Sequence, residues 1–308
     1  MQLAMIGLGR MGGNMARRLR RGGIDVVGYN RSRAVTERLA AETGLQPAFS
    51  LTELVQALRP PRIVWLMLPA GTVTERVLED VTTLLEPGDI VVEGANSNYH
   101  DTLRRAERVR GRDLGFIDAG VSGGVWGLEN GYCLMVGGAA EDVRRLQPAL
   151  AVLAPAPDRG WAHVGPAGAG HFTKMIHNGI EYGMMQALAE GFALLQGKAE
   201  FDLDLAQIAE LWRHGSVVQS WLLDLTAGFL RQDQALDGIA PVVADSGEGR
   251  WTAVEAIDQG VPAPVIQCAL AMRFASQGKG DYGARLLAMM RNAFGGHAVA
   301  PAGEDDHD

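Results

Sequence analysis

Residues 3–19, LAMIGLGRMGGNMARRL, join a short apolar run to a glycine-rich turn and an amphipathic segment. Gly7, Gly9 and Gly12 give the spacing Gly-x-Gly-x-x-Gly. Alone this spacing is weak evidence, but here it lies between a predicted strand and a predicted helix, as a dinucleotide site requires. The glycines permit a tight turn, close approach of a pyrophosphate and packing of helix on strand. The stretch predicts a dinucleotide-binding α/β domain, with an unliganded glycine turn as the alternative.

Five further apolar runs follow in the first half, at residues 25–30, 62–68, 89–95, 115–120 and 132–138, and they alternate with helical segments. Such alternation predicts a mostly parallel sheet of the Rossmann type. After residue 165 the sequence is mostly helical, with breaks near Gly197, Gly215, Gly238 and Pro262. We therefore predict a Rossmann-like domain over residues 1–165 and an all-α domain over residues 166–300. Residues 301–308 are predicted to be a disordered acidic tail.

Composition limits the function classes. The chain has 308 residues and a formal net charge of −8, which argues against a general nucleic-acid or anionic-membrane binder. We see neither a signal-like leader nor an apolar run of about 18 residues, so we expect a cytoplasmic protein. Cys133 and Cys268 are far apart in apolar runs, and we expect free, buried thiols.

The end of the second predicted strand bears on cofactor choice. An acidic residue at this place binds ribose hydroxyls and favours NAD. This chain has Asn30, Arg31 and Ser32 instead, so no carboxylate repels a 2′-phosphate, and a guanidinium and a hydroxyl can bind one. The sequence predicts NADP, unless Arg31 is an exposed turn residue without a role.

Ligands of such sheets bind beyond the carboxyl ends of the strands. Three segments fall there: residues 68–71 (LPAG), 96–98 (NSN) and 121–127 (VSGGVWG). Ser122, Gly123 and Gly124 offer a hydroxyl and backbone without side chains, which suits a small polar substrate. A glycine loop without function is the alternative.

Residues 170–198, GHFTKMIHNGIEYGMMQALAEGFALLQGK, read as one long helix. At about 100° per residue, five polar side chains share an arc of roughly 140°. They are Lys174, His177, Asn178, Glu181 and Tyr182. We expect the apolar side to be core, and it consists of Met175, Ile176, Ile180, Met184 and Leu188. Lys174 and Glu181 are about 10.5 Å apart along the axis, which suits a base and an acid at two ends of a small substrate. The alternative is that Lys174 and Glu181 face solvent beside their apolar neighbours.

Several motifs resemble the decarboxylating 6-phosphogluconate dehydrogenases, within the β-hydroxyacid dehydrogenase superfamily. These motifs are GLGRMGGNMA (7–16), GANSNYHDTLRR (94–105), DAGVSGG (118–124), GHFTKMIHNGIEYGMMQ (170–186), WTAVEAIDQGVP (251–262) and RNAFGGHAV (291–299). The resemblance covers residues 1–299 and is most specific in the helical motif. The chain is similar to the short-chain form, with one helical repeat fewer than the long form.

The resemblance implies a reaction. Lys174 would accept the proton of the C3 hydroxyl of 6-phosphogluconate while hydride passes to NADP. Carbon dioxide would then leave, and Glu181 would protonate the carbon that becomes C1 of ribulose 5-phosphate, without a metal. The implied substrate-binding residues are Asn96, Ser122, Gly123, Gly124, His177, Asn178, Tyr182, Arg273, Arg291 and His297. The implied cofactor-binding residues are Gly7, Gly9, Met11, Gly12, Asn30, Arg31, Ser32, Leu68, Pro69, Ala70 and Asn96.

The resemblance also implies a homo-oligomer, a dimer or tetramer, whose C-terminal segment completes the neighbouring subunit's site. One departure concerns phosphate: Ser246 and Glu248 stand where the long form has a lysine and a threonine. Three alternatives stay open: a dehydrogenase of the 3-hydroxyisobutyrate type, an imine reductase, and an NADP-binding protein without catalysis. The first two share the architecture, whereas the pair Lys174 and Glu181 argues against the third.

Overall fold

The computed structural model describes residues 1–300, so the predicted acidic tail lies outside the described residues. Two compact units make up the chain, Met1–His177 and a second that begins at Asn178. The domain boundary predicted near residue 165 stays a prediction.

The first unit contains an eight-stranded sheet with the order β3-β2-β1-β4-β5-β6-β7-β8. Its strands are β1 (Gln2–Ile6), β2 (Asp25–Tyr29), β3 (Gln46–Pro47), β4 (Ile63–Leu66), β5 (Ile90–Glu93), β6 (Gly115–Ser122), β7 (Cys133–Gly138) and β8 (Trp161–Gly165). All neighbouring strands pair in parallel except β6 and β7, which are antiparallel. Chain order reverses between β1 and β4, which is where ligands bind in sheets of this kind.

Helices cover both faces of this sheet. They are α1 (Arg10–Arg21), α2 (Arg33–Thr43), α3 (Leu51–Gln56), α4 (Thr72–Thr82), α5 (Tyr99–Arg110), α6 (Gly127–Asn130) and α7 (Ala140–Leu153). A parallel sheet buried on both faces explains the continuous apolar strands of the sequence. Trp65 and Val92 belong to the core on one face, whereas Val64 and Val91 belong to the core on the other.

Helix α8 (Ala169–Gly197) begins in the first unit and continues into the second. The later helices are α9 (Leu205–Trp212), α10 (Trp221–Leu230), α11 (Glu248–Asp258), α12 (Pro264–Ser276) and α13 (Asp281–Gly295). One small core joins Phe192 of α8 to side chains of α9 and α10, and another joins Tyr182 to α11 and α12. A Cβ at Gly179 would lie 2.5 Å from Thr252 Cγ2, so this glycine permits close packing of α8 on α11.

Two expectations about burial are wrong. The apolar side of α8 is not uniformly core: Met175 is buried, but Ile180 and Met184 are 53% and 43% exposed. Among the five polar side chains of α8, Lys174 and Tyr182 are buried, because glycines and small side chains let other elements pack against that side of the helix. Cys133 and Cys268 are free thiols, as expected, but exposed in the described chain. Among the described helices, none combines the length and hydropathy needed to cross a bilayer.

Candidate active site

The glycine turn between β1 and α1 has the geometry that a dinucleotide requires. Gly7 has φ +94°, and its N–H donates to Tyr29 O at 2.9 Å. A Cβ on Gly12 would lie only 2.0 Å from Gly7 O, so helix and turn touch. A Cβ on Gly9 would meet nothing within 4 Å, which leaves open space beside the first turn of α1. That turn has no acidic residue, so its N–H groups and dipole can face a pyrophosphate.

Beside this turn lies a cavity of about 230 Å³ whose lining includes Asn30 and the side chains of Arg10, Arg17 and Arg38. Asn30 Oδ1 accepts a hydrogen bond from Leu8 N at 3.1 Å, which ties the end of β2 to the glycine turn. Arg17 is ion-paired with Glu42, and its hydrogen bond is the main reason that the pKa of Glu42 is lowered. Arg10 and Arg38 were missed in the sequence, because neither belongs to the strand-end pattern.

The other predicted cofactor residues lie at the same edge of the sheet, near the ends of β2 and β4. Arg31 and Ser32 are exposed between β2 and α2, with Ser32 at the N-cap of α2. Met11 and Leu68 are half-buried and pack against the two cores of the sheet. Pro69 and Ala70 are exposed between β4 and α4.

Asn96 fixes the loop after β5 to the end of β6. Its backbone has φ +50°, a conformation uncommon outside glycine. Its amide donates to Val121 O at 3.0 Å and accepts from Val121 N at 2.9 Å. Below this loop, the buried Arg105 contacts both Glu93 Oε1 (2.5 Å) and Ser97 Oγ (3.0 Å). A buried ion pair with a third partner holds the loop in one conformation, and no periodic pattern in the sequence indicated it.

The loop of residues 122–124 rests on an aromatic ring. Gly123 and Gly124 have φ +124° and +51°, which favours glycine at both positions. The ring of Tyr132 lies against this loop: a Cβ on Gly127 would be 2.0 Å from Tyr132 Cε1, and one on Gly123 would be 3.3 Å from Cδ1. Burial raises the pKa of Tyr132 to about 12, so the phenol stays protonated.

Lys174 and His177 lie against the end of β6. Lys174 is only 6% exposed, and Gly120 provides the room, since a Cβ there would be 2.5 Å from Lys174 Cβ. Lys174 Nζ is 3.3 Å from His177 Nδ1. His177 Nε2 is in turn 3.4 Å from Ser122 Oγ. An amine, an imidazole and a hydroxyl therefore form one chain of polar contacts in the first unit.

The remaining predicted residues belong to the second unit. Asn178 and Glu181 are half-buried on α8, and Tyr182 is buried. The Arg273 guanidinium lies 3.4 Å from the centre of the Tyr182 ring, and it donates to Ala244 O at 2.8 Å. Tyr182 Oη lies 3.2 Å from Ser246 Oγ, which donates to Glu248 at 2.5 Å. The structure therefore brings Tyr182 and Arg273 together, beside the segment that departs from the long form.

Asp245 also borders Tyr182 and was not singled out in the sequence. Burial favours a higher pKa for this carboxyl group, but hydrogen bonds from Arg250 and Gly247 N outweigh it, and the pKa is lowered. Arg291 and His297 are exposed, at the end of α13 and just beyond it. Within residues 1–300, α13 contributes no buried side chain.

Two family models of known proteins match the chain, one in each half. Residues 2–165 match the family model of the NAD binding domain of 6-phosphogluconate dehydrogenase. Residues 170–288 match the family model of the C-terminal domain of 6-phosphogluconate dehydrogenase.

Among the residues that the structure describes, no group of three histidine, cysteine, aspartate or glutamate side chains has the arrangement of a metal site.

Several relatives and solved structures are similar over almost the whole chain. YqeC of Bacillus subtilis (strain 168) is 41% identical over 97% of this chain and 99% of its own. An NAD(+)-dependent, decarboxylating 6-phosphogluconate dehydrogenase of Haloferax volcanii is 41% identical, with the same coverage.

The Plasmodium falciparum 6-phosphogluconate dehydrogenase, solved with NADP+ and with 6-phosphogluconate, has a TM-score of 0.84 and 27% identity. That match covers 99% of this chain and 67% of the other. A Mycobacterium tuberculosis 3-hydroxyisobutyrate dehydrogenase shares the fold, with a TM-score of 0.72 at 23% identity. Family models over both halves and relatives at 41% identity lead to one conclusion: the chain belongs to the 6-phosphogluconate dehydrogenase family.

Proposed function

We propose that the protein catalyses the oxidative decarboxylation of 6-phosphogluconate to ribulose 5-phosphate and carbon dioxide, with NADP as hydride acceptor. The observation that carries this proposal is the environment of Lys174. Lys174 is buried against β6, its amine contacts His177, and His177 contacts Ser122, while Glu181 follows two turns later on the same helix. A base and an acid about 10.5 Å apart along α8 suit a reaction that removes one proton and delivers another.

When bound, the nicotinamide supplies the hydride acceptor. Lys174 accepts the proton of the C3 hydroxyl, which lets C3 become a ketone. His177, 3.3 Å from the amine, orients Lys174, and Ser122 in turn fixes the imidazole at 3.4 Å. This chain of contacts holds the amine in one place before substrate arrives, which is the requirement for efficient proton transfer.

Decarboxylation follows because the C3 ketone accepts the electrons of the breaking C1–C2 bond. Glu181 then delivers a proton to the resulting enediol at the former C2, which becomes C1 of ribulose 5-phosphate. Asn96, Ser122, Gly123, Gly124 and Asn178 are proposed to hold the sugar acid. The two-way hydrogen bonding of Asn96 with Val121 supports this assignment, because it fixes the loops that carry these groups.

Tyr182 and Arg273 are proposed to bind the phosphate of the substrate, with Arg291 and His297 from a neighbouring subunit. The Arg273 guanidinium stacks on the Tyr182 ring, so a guanidinium and a phenol are adjacent. This contact supports the assignment of Tyr182 and Arg273. Ser246 replaces the long form's lysine, and its hydroxyl already donates to Glu248. Arg273 and Arg291 therefore have to supply the positive charge that the lysine provides in the long form.

NADP, rather than NAD, is the proposed cofactor. Support comes from Arg10 and Arg38, which line the cavity at the end of β2, and from Asn30, Arg31 and Ser32. A doubly charged 2′-phosphate gains charge-assisted hydrogen bonds from guanidinium groups. The described part of β2 also ends without a carboxylate that would repel this phosphate.

The protein is further proposed to act in the cytoplasm as a homo-oligomer, a dimer or tetramer, with C-terminal segments shared between subunits. Exposed apolar side chains on α8 and α13 support the oligomer. Leu194 is 77% exposed, and Tyr282 and Phe294 are 78% and 92% exposed. A stripe of large apolar side chains on a helix without buried residues is typical of a protein interface.

The test is Lys174→Met with Lys198→Met as its control, because Lys198 is exposed and its amine is paired with Glu200. We expect Lys174→Met to lower turnover of 6-phosphogluconate by about 100-fold or more, the usual contribution of general base catalysis. NADP binding should persist, and Lys198→Met should behave like the wild type. Normal turnover in Lys174→Met would contradict the assignment of the base.

A further inference from the structure

Asp118 is a charged residue in the middle of a buried strand, and the proposed mechanism does not use it. Its side chain is fully buried in β6. Burying a carboxylate is costly unless hydrogen bonds compensate for the lost water. The compensation comes from the start of α8: Oδ1 accepts from Gly168 N at 2.7 Å, and Oδ2 accepts from His171 N at 2.8 Å.

These two N–H groups lie at the N-terminus of α8, where backbone N–H groups have no acceptors within the helix. The first N–H groups of any helix lack intrahelical acceptors, and the helix dipole favours negative charge there. Both Asp118 oxygens meet this need on a helix of 29 residues. The carboxylate therefore fastens the N-terminus of α8 to the sheet by two charge-assisted hydrogen bonds.

The space around Asp118 fits this carboxylate closely. A Cβ on Gly137 of the paired strand β7 would be 2.5 Å from Asp118 Oδ1. A Cβ on Gly170 would be 2.6 Å from Asp118 O and 2.9 Å from Oδ2. Two glycines thus allow the strand and the helix to close around one acidic side chain.

The same face of β6 continues to the proposed catalytic groups. Side chains alternate along a strand, so residues 118, 120 and 122 share one face. The first contacts His171 N, the second makes room for Lys174, and the third reaches His177. Residues 118, 120 and 122 of β6 therefore contact residues 171, 174 and 177 of α8, in that order. The first contact, between Asp118 and His171, fixes the register of the other two.

We propose that Asp118 is a positioning residue: by capping α8 it holds Lys174 and His177 in register with Ser122. This inference rests on the proposed function only for its kinetic consequence. The register itself can be measured without substrate. Asp118 touches none of the reacting atoms of the proposed mechanism, and it acts through the helix.

The variant is Asp118→Asn, which keeps the shape and one acceptor but replaces the other oxygen with a donor. Asp204→Ala is the matched control, because Asp204 caps α9 by accepting from Gln207 N at 2.9 Å. Asp118→Asn weakens one helix cap and Asp204→Ala removes another, but only the first cap adjoins the proposed site. Asp118→Ala serves as a second variant that removes both acceptors.

The first readout is hydrogen–deuterium exchange of residues 169–177, which requires no activity. We expect Asp118→Asn to speed exchange in this segment by about 10-fold or more, as loss of a charge-assisted hydrogen bond implies. Asp204→Ala should leave this segment unchanged. If Asp118→Asn exchanges like the wild type here, the proposed register function is overturned, whatever the enzyme's substrate.

The second readout is kinetic. We expect kcat for 6-phosphogluconate to fall by about 10- to 100-fold in Asp118→Asn, because a displacement of about 1 Å has effects of this size. KM for NADP should stay near the wild-type value, and the deuterium isotope effect from C3 should increase as the chemical step becomes limiting. Faster exchange with an unchanged kcat would reduce Asp118 to a structural cap and overturn its positioning role. Inactivity of the wild type towards 6-phosphogluconate would instead contradict the proposed function, and the exchange result would still decide the register.

Discussion

Gly120→Ala tests whether the position of Lys174 against β6 matters for catalysis. The added Cβ would lie 2.5 Å from Lys174 Cβ and 2.9 Å from Gly170 O. Non-bonded carbons prefer separations of about 3.5–4.0 Å, so α8 must move by about 1 Å at this point. Misplacement of a catalytic group by about 1 Å can cost about 100-fold in rate. Overpacking should also cost about 1–3 kcal/mol in the free energy of unfolding.

The assay is steady-state NADPH formation with 6-phosphogluconate, alongside thermal unfolding of each variant. Gly228→Ala is the control, because a Cβ at this position in α10 meets nothing within 4 Å. We expect the control to keep full activity and to unfold at the same or a higher temperature, since alanine is about 1 kcal/mol better than glycine inside a helix. A Gly120→Ala enzyme with wild-type kcat would refute the claim that this contact places the base.

Three further predictions address the acid, the cofactor and the subunit interface. Glu181→Gln should leave oxidation at C3 measurable but slow the formation of ribulose 5-phosphate, and a normal rate of product formation would identify another acid. NADP should be preferred to NAD by roughly 10- to 150-fold, the equivalent of one charge-assisted hydrogen bond. Asn30→Asp with Arg31→Ala should reverse this preference, whereas a wild-type preference for NAD would mean that Arg31 does not contact the cofactor. Finally, mixing subunits of Lys174→Met with subunits of the double variant Arg291→Ala, His297→Ala should restore part of the activity. No recovery after verified subunit exchange would argue against shared C-terminal segments.

The sheet and the long helix were predictable because their signals are local. The glycine spacing of residues 7–12 and the alternation of apolar runs with helical segments depend only on neighbouring residues, and the fold class is confirmed. The helix predicted over residues 170–198 lies at Ala169–Gly197.

Periodicity failed on which side of α8 is buried. It showed correctly that Lys174 and Tyr182 share one side and that Ile180 and Met184 share another. It could not show which side packs within the chain. The polar side is buried because Gly120 and Gly249 leave room for Lys174 and Tyr182, and this pairing spans distant parts of the sequence. On the oligomer proposal, the exposed apolar side is covered by a neighbouring subunit.

Other residues were missed because their partners are far away in the chain. Asp118 bonds to groups 50 and 53 residues later, and no local pattern relates them. A signal was nevertheless available, since a lone carboxylate in the apolar run GFIDAGV requires a buried partner. Arg10 and Arg38 gave no such signal, because arginines on amphipathic helices are usually solvent-exposed.

In the proposed reaction, oxidation and loss of carbon dioxide occur together on 6-phosphogluconate. The direct measurement supplies the purified protein with 6-phosphogluconate labelled with carbon-13 at C1 and counts NADPH, labelled carbon dioxide and ribulose 5-phosphate. Gluconate and 3-hydroxyisobutyrate are run in parallel. We expect equal amounts of all three products from 6-phosphogluconate and little turnover of the other two compounds. NADPH without labelled carbon dioxide, or faster turnover of 3-hydroxyisobutyrate, would contradict it.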